Sequence, residues 1–80
     1  MKDWAIRLGH IWQFIPENHK ITIRVKRSDG KGYYSEGYYD KAIDRCPYYR
    51  QFAVVLSVYA ISTEIIEVTI NENMPVKEGG

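Results

Sequence analysis

The side chains of this 80-residue chain that could hold a metal or attack a substrate are few: His10, His19 and the lone Cys46. A zinc centre gathers three or four such ligands, usually from paired spacings such as C-x-x-C or H-E-x-x-H, and neither pattern occurs. Carboxylate pairs are present at Asp40 and Asp44, four apart on a predicted helix face, and at Glu64 and Glu67 near the last strand. Lys41 and Arg45 beside the first pair mark a solvated face rather than an acid/base couple. The glycines of SDGKG lack the GxxxxGK[ST] pattern and no helix follows them to offer its N-terminus to a phosphate, so they read as a hairpin turn. Catalysis needs a nucleophile or metal, an acid/base group and a cradle for developing charge. Their scarcity here leads to the expectation of a protein that is not an enzyme and uses no metal or cofactor.

Two other features exceed what an ordinary surface carries. From His19 to Lys31 there are five basic residues, Lys20, Arg24, Lys26, Arg27 and Lys31, against Asp29 alone. From Ser62 to Gly80 there are four acids, Glu64, Glu67, Glu72 and Glu78, against Lys77 alone, so the chain is electrically two-sided despite a net charge of +1. Six of its seven tyrosines fall between Tyr33 and Tyr49, in the doublets Tyr33-Tyr34, Tyr38-Tyr39 and Tyr48-Tyr49, with Arg50 adjoining the last. In extended chain a doublet sends one ring to each face, which puts at least three of these rings outside the core. Tyrosine and arginine add large contact area for little entropy, so Tyr33, Tyr34, Tyr38, Tyr39, Tyr48, Tyr49 and Arg50 are the candidate partner-binding residues.

Elements must position these groups. Asp3 fits an N-cap, and Trp4, Leu8, Ile11, Trp12 and Ile15 form a helical stripe that Pro16 ends. Gly9 in that stripe costs about 1 kcal/mol against Ala and leaves room for a close neighbour. Ile21, Ile23 and Val25 alternate with Thr22, Arg24 and Lys26 in a first strand over 20–27, and Ser28 to Lys31 is a turn sequence. The stretch 32–37 returns as a short edge strand, and 38–46, polar but for Ala42 and Ile43 among its aliphatic positions, fits a short helix stopped by Pro47. Phe52 to Ile61 is apolar on both parities and reads as a central strand. It forms an antiparallel hairpin with a strictly alternating strand in which Ile66, Val68 and Ile70 face inward and Glu67 and Thr69 outward.

The predicted fold is α+β, a four-stranded mainly antiparallel sheet with the N-terminal helix and the short middle helix on one face, in the order αββαββ. Residues 1–71 make one domain and 72–80 a frayed tail. An apolar fraction of 45% with 26% charged residues excludes a disordered chain, and no apolar run approaches the ~20 residues of a bilayer helix. Cys46 has no second cysteine to pair with and reads as a semi-buried residue at a helix end. That agrees with a reducing compartment, and the MKDW start lacks a cleavable leader, so a cytoplasmic location is expected.

The opening KDW with its helical stripe, the ENHKITIRV entry into a strand, the SDGKGYYSEGYYDKAI hairpin and helix, and the closing EIIEVTI resemble small proteins of bacteriophages and mobile elements. The resemblance spans Lys2 to Ile70 and assigns no individual residue. Proteins of that kind are mostly of unassigned function, and some inhibit host defence, including anti-CRISPR proteins. It implies a phage-type protein that binds a host protein, such as a defence nuclease, in the bacterial cytoplasm. The alternative is a protein that binds nucleic acid or sequesters a signalling nucleotide, with exposed tyrosines stacking on bases and Arg24, Lys26, Arg27 and Lys31 taking phosphates. Whether those cations are free depends on the neighbour of the first strand, because the last strand, with Glu67 and Thr69 outward, would give charge complementarity if it lay beside Arg24 and Lys26. The chain is expected as a monomer, or as a homodimer paired through the 32–37 edge with Lys31 and Glu36 facing each other across the junction.

Overall fold

Strict alternation places a strand where one of its faces can be buried, and the two strands that show it best lie at the centre of the sheet. The computed structural model describes residues 5–72. Its strands are β1 (Lys20–Lys26), β2 (Tyr33–Asp40), β3 (Val55–Ala60) and β4 (Ile65–Asn71), in the spatial order β2-β1-β4-β3. β1 and β4 run parallel, so Ile21, Ile23 and Val25 stand beside Ile66, Val68 and Ile70. All but Ile66 are fully buried, and Ile66 packs against their edge. Each central strand has an antiparallel partner outside it, β2 on β1 and β3 on β4. The sheet is therefore mixed, not mainly antiparallel as expected.

Three further expectations are corrected. β3, read as central because both of its parities are apolar, is an edge strand, exposed from Leu56 to Ala60. Among the described residues no helix or strand covers its apolar residues, and they meet water. The expected middle helix is absent: Tyr38 to Asp40 pair with Lys20 to Thr22 and extend β2. Asp40 then closes a turn, its carboxylate accepting from the Ala42 N–H at 3.0 Å, while Asp44 accepts from the Asp40 N–H at 2.8 Å. These side-chain bonds give the backbone a turn in place of a helix. Only a 3-10 turn, Tyr48–Arg50, follows Pro47.

The N-terminal helix is shorter than its stripe. α1 spans Leu8–Trp12, and Arg7 before it is extended because Ile6 and Arg7 line the start of β3: Val55 donates to the Ile6 carbonyl and Leu8 to the Ala53 carbonyl. Asp3 and Trp4 lie outside the described residues. Leu8, Trp12 and, beyond the helix, Ile15 reach the core, where Trp12 meets the Tyr39 ring edge-on at 5.6 Å. The indole N–H of Trp12 is buried without an acceptor among the described residues. At the far end of the molecule Gly30 and Gly32 take positive φ, 77° and 104°, and turn β1 into β2 where the sequence placed the hairpin.

Gly9 does leave room for a close neighbour, which is the backbone of Gln51. The Gly9 N–H donates to the Gln51 carbonyl at 2.8 Å, and a Cβ on Gly9 would stand 3.0 Å from both that oxygen and the Gln51 Cβ. Ala at this position gains about 1 kcal/mol of helix propensity but must push a backbone segment away. Gly9→Ala is thus expected to destabilise the protein, by about 1–2 kcal/mol net. Urea denaturation checks the sign, since a more stable variant would show that Gln51 yields freely.

Candidate functional site

One face of the sheet carries α1 and the core; among the described residues no helix or strand lies on the other. Register arranges that open face in rows. Tyr38 of β2 is beside Thr22 of β1, Thr22 beside Glu67 of β4, and Glu67 beside Tyr59 of β3. The next row is Ser35, Arg24, Thr69 and Ser57, and the third begins with Tyr33, Lys26 and Asn71. Three strand spacings separate the ends of the first row, about 14 Å. Its two terminal rings are open to solvent, Tyr38 by 59% and Tyr59 by 66%, as is Tyr33 by 47%.

Charges on this face are largely matched. The Arg24 guanidinium lies 4.0 Å over the Tyr33 ring and reaches the Glu67 carboxylate at 3.7 Å, while Lys20 meets Asp40 at 3.6 Å. Because β1 and β4 are neighbours, the cross-strand pairing considered for Arg24 is present. Arg27 lies 4.9 Å over the Tyr34 ring near the anionic Glu72. Lys26 and Lys31 are exposed and make no ion pair among the described residues. The four residues assigned to phosphate therefore do not converge as free cations.

No protein-family model matches the chain, and no curated protein or solved structure matches it either.

The tyrosine doublets are divided between environments. Tyr33 and Tyr38 belong to the open face, whereas Tyr34 and Tyr39 pack against the core. Glu36 is an extra residue bulged out of β2 between the doublets, and the resulting shift by one puts the first ring of both doublets, Tyr33 and Tyr38, on the same open face. Tyr48 and Tyr49 stand on the 3-10 turn, away from the rows, and are exposed. Arg50 is not free for a partner. Its Nε donates to the bulged Glu36 carboxylate at 2.8 Å, one terminal nitrogen to the Glu72 carbonyl at 2.8 Å and the other to the Tyr34 hydroxyl at 3.4 Å. Hydrogen bonding to the same Glu36 carboxylate pushes the Tyr49 phenol up to about 12. Tyr59 and Glu67, absent from the candidate list, complete the first row; the alternation of β4 marked Glu67 as outward, but only the strand order shows what stands beside it.

The groups first weighed for catalysis have local roles. Asp40 and Asp44 close their turn, His10 stacks edge-on against Phe14 at 5.6 Å, and His19 bonds Asn18 at 2.9 Å. No group of three or more metal-ligating side chains forms among the described residues. Burial pushes the Cys46 thiol up to about 11, so at neutral pH it is protonated and a poor nucleophile. Of the expected tail only Glu72 is described; its carboxylate accepts from the Ser28 N–H at 2.8 Å and from the Ser28 hydroxyl at 3.2 Å. Residues 73–80 lie outside the described residues.

Two outcomes are expected. The Arg50 and Glu36 side chains are 12% and 14% exposed, so removing one strands the other, and Arg50→Ala should cost about 3 kcal/mol in denaturant unfolding. The Ser28 backbone bond holds the Glu72 carboxyl below its ordinary value, so its contribution is present at neutral pH and lost as pH falls through that lowered pKa. The melting temperature of Glu72→Gln should accordingly lie below the parent's at pH 7 and converge with it in strong acid. A gap that stays constant with pH would assign the effect to something other than the charge.

Proposed function

We propose that this chain is a small binding protein, not an enzyme, that covers a protein partner with the open face of its sheet. The observation that carries this reading is the row Tyr38, Thr22, Glu67 and Tyr59, with exposed aromatic rings at both ends and a matched ion pair of Arg24 and Glu67 beside its middle. Exposed tyrosine rings are among the residues enriched at protein-recognising surfaces. Its anchors are Tyr33, Tyr38 and Tyr59. The flat strand surface supplies rigid positions for them, so little entropy is lost when a partner orders them.

A polyanion is disfavoured by the same geometry. Glu67 lies in the row where a phosphate chain would cross, and Lys20 and Arg24 already have carboxylates. Lys26 and Lys31 alone give a weak electrostatic term, since each phosphate contact contributes about one unit to the salt slope. The host-defence role follows from the resemblance to small phage proteins, for which blocking a bacterial protein by occupying its surface is a suitable task for a non-catalytic chain of this size. The target is then a bacterial protein, a defence nuclease in the anti-CRISPR case.

The test is a plaque assay in bacteria with active CRISPR interference. Expression of the chain should raise plaque counts of a targeted phage, and Tyr38→Ala with Tyr59→Ala should reverse the gain while leaving the melting temperature within a few degrees. Unchanged counts across the available CRISPR types would reject the anti-CRISPR role. A gel shift of DNA or RNA at low salt that collapses on raising the salt would instead favour the nucleic-acid alternative.

A further inference from the structure

Apart from one bulge at Leu56, the outer edge of β3 lacks the devices that keep sheet edges apart. From Gln51 to Thr63 the chain has no charged side chain and no proline, and beyond the bulged Leu56 the strand runs regularly to Ala60. The other edge differs in carrying charge at its bulge: Glu36 of β2, whose carboxylate is held by Arg50. On β3 the Ile61 N–H turns inward to the Ile65 carbonyl, so by alternation Val58 and Ala60 direct their backbone groups away from β4. Among the described residues no strand receives them.

This free edge has definite ends. Ile6 occupies the position beside Val55, with the Val55 N–H donating to its carbonyl at 2.8 Å, and at the other end the chain bends away after Ala60. What remains is Leu56 to Ala60, centred on Val58. We infer that this edge pairs with the same edge of a second copy of the chain, antiparallel about a two-fold axis at Val58. Leu56 then stands opposite Ala60 of the other copy, and Ser57 opposite its Tyr59. The partner strand ends where Ile6 begins, so the gap and the strand that fills it have the same length.

Side chains around the edge supply the apolar area. Val58 neighbours the fully buried Val68 yet is itself 54% exposed, and Ile6, Phe52, Leu56, Tyr59 and Ile61 are also exposed. Together two copies offer on the order of 1,000 Å² of such surface, the lower bound for a specific interface. A self-pairing of uncharged strands meets no like-charge repulsion, whereas a charged partner peptide would find no countercharge on this edge. A second copy is therefore the occupant that fits. It meets the rows of the open face only at their β3 ends, Ser57 and Tyr59.

Sedimentation equilibrium of the full chain from ten to several hundred micromolar should show association to twice the 9.4 kDa chain mass. Val58→Lys places two ammonium groups together at the axis and should return the mass to that of one chain, while Tyr33→Ala leaves it doubled. A single 9.4 kDa species throughout, or a Val58→Lys variant that is folded and still dimeric, overturns the assignment. Hydrogen exchange needs no variant: the Val58 and Ala60 amides should become protected as concentration rises. Protection independent of concentration in a monomer would mean that residues of the same chain cover the edge, and would also overturn it.

Discussion

The parallel pairing of β1 with β4 is the interaction on which the rest of the molecule depends. It brings together the two strands whose alternation is strictest, so that Ile21, Ile23, Val25, Val68 and Ile70 are removed from water with Ile66 at their margin. Each fully buried aliphatic side chain contributes about 1.5–3 kcal/mol relative to exposure. The same pairing sets the outward residues of β1 beside those of β4, which is why Arg24 finds Glu67 and why the basic stretch is not a basic surface. Burial on one face and charge pairing on the other are thus set by one register.

Chain length limits what can be covered. A five-residue helix and its flanks roof part of one sheet face, and among the described residues no helix or strand lies over the other face or over the far half of β3. A larger domain would bury these surfaces under a second layer. Here, Thr69 is buried and the Thr22 hydroxyl is enclosed without a hydrogen-bond partner among the described residues.

Sequence pattern revealed the elements that depend on local spacing and missed those decided by neighbours. Alternation located β1 and β4, turn chemistry located the Ser28–Lys31 hairpin, and the glycine inside the apolar stripe pointed to a close neighbour, which the structure shows to be Gln51. Strand order was hidden, since alternation tells which face a residue is on and not which strand lies beside it. That ambiguity made an uncovered edge look central: β3 is apolar on both faces, a pattern shared by strands buried within a sheet and strands awaiting a partner. The segment 38–46 misled for another reason. Its composition permits a helix, but β1 captured Tyr38 to Asp40 and the Asp40 and Asp44 carboxylates took up the amide groups that a helix would have used.

The two bare surfaces are geometrically related. An antiparallel junction within one continuous sheet has its two-fold axis perpendicular to the sheet, so the open faces of two copies joined through β3 lie on the same side. The strand order becomes β2-β1-β4-β3 followed by its reverse, and the two Tyr59 rings, each opposite a Ser57, come together near the axis. Two separate rows then become one broad surface with Tyr38 at either extreme, turned progressively by the twist of about 20–25° per strand. A partner that is itself two-fold symmetric would meet both halves at once, and the second contact would form at the effective concentration set by a rigid sheet instead of a flexible tether. The uncharged edge and the tyrosine rows would then act as one device, in which pairing of the chain doubles the area available for recognition.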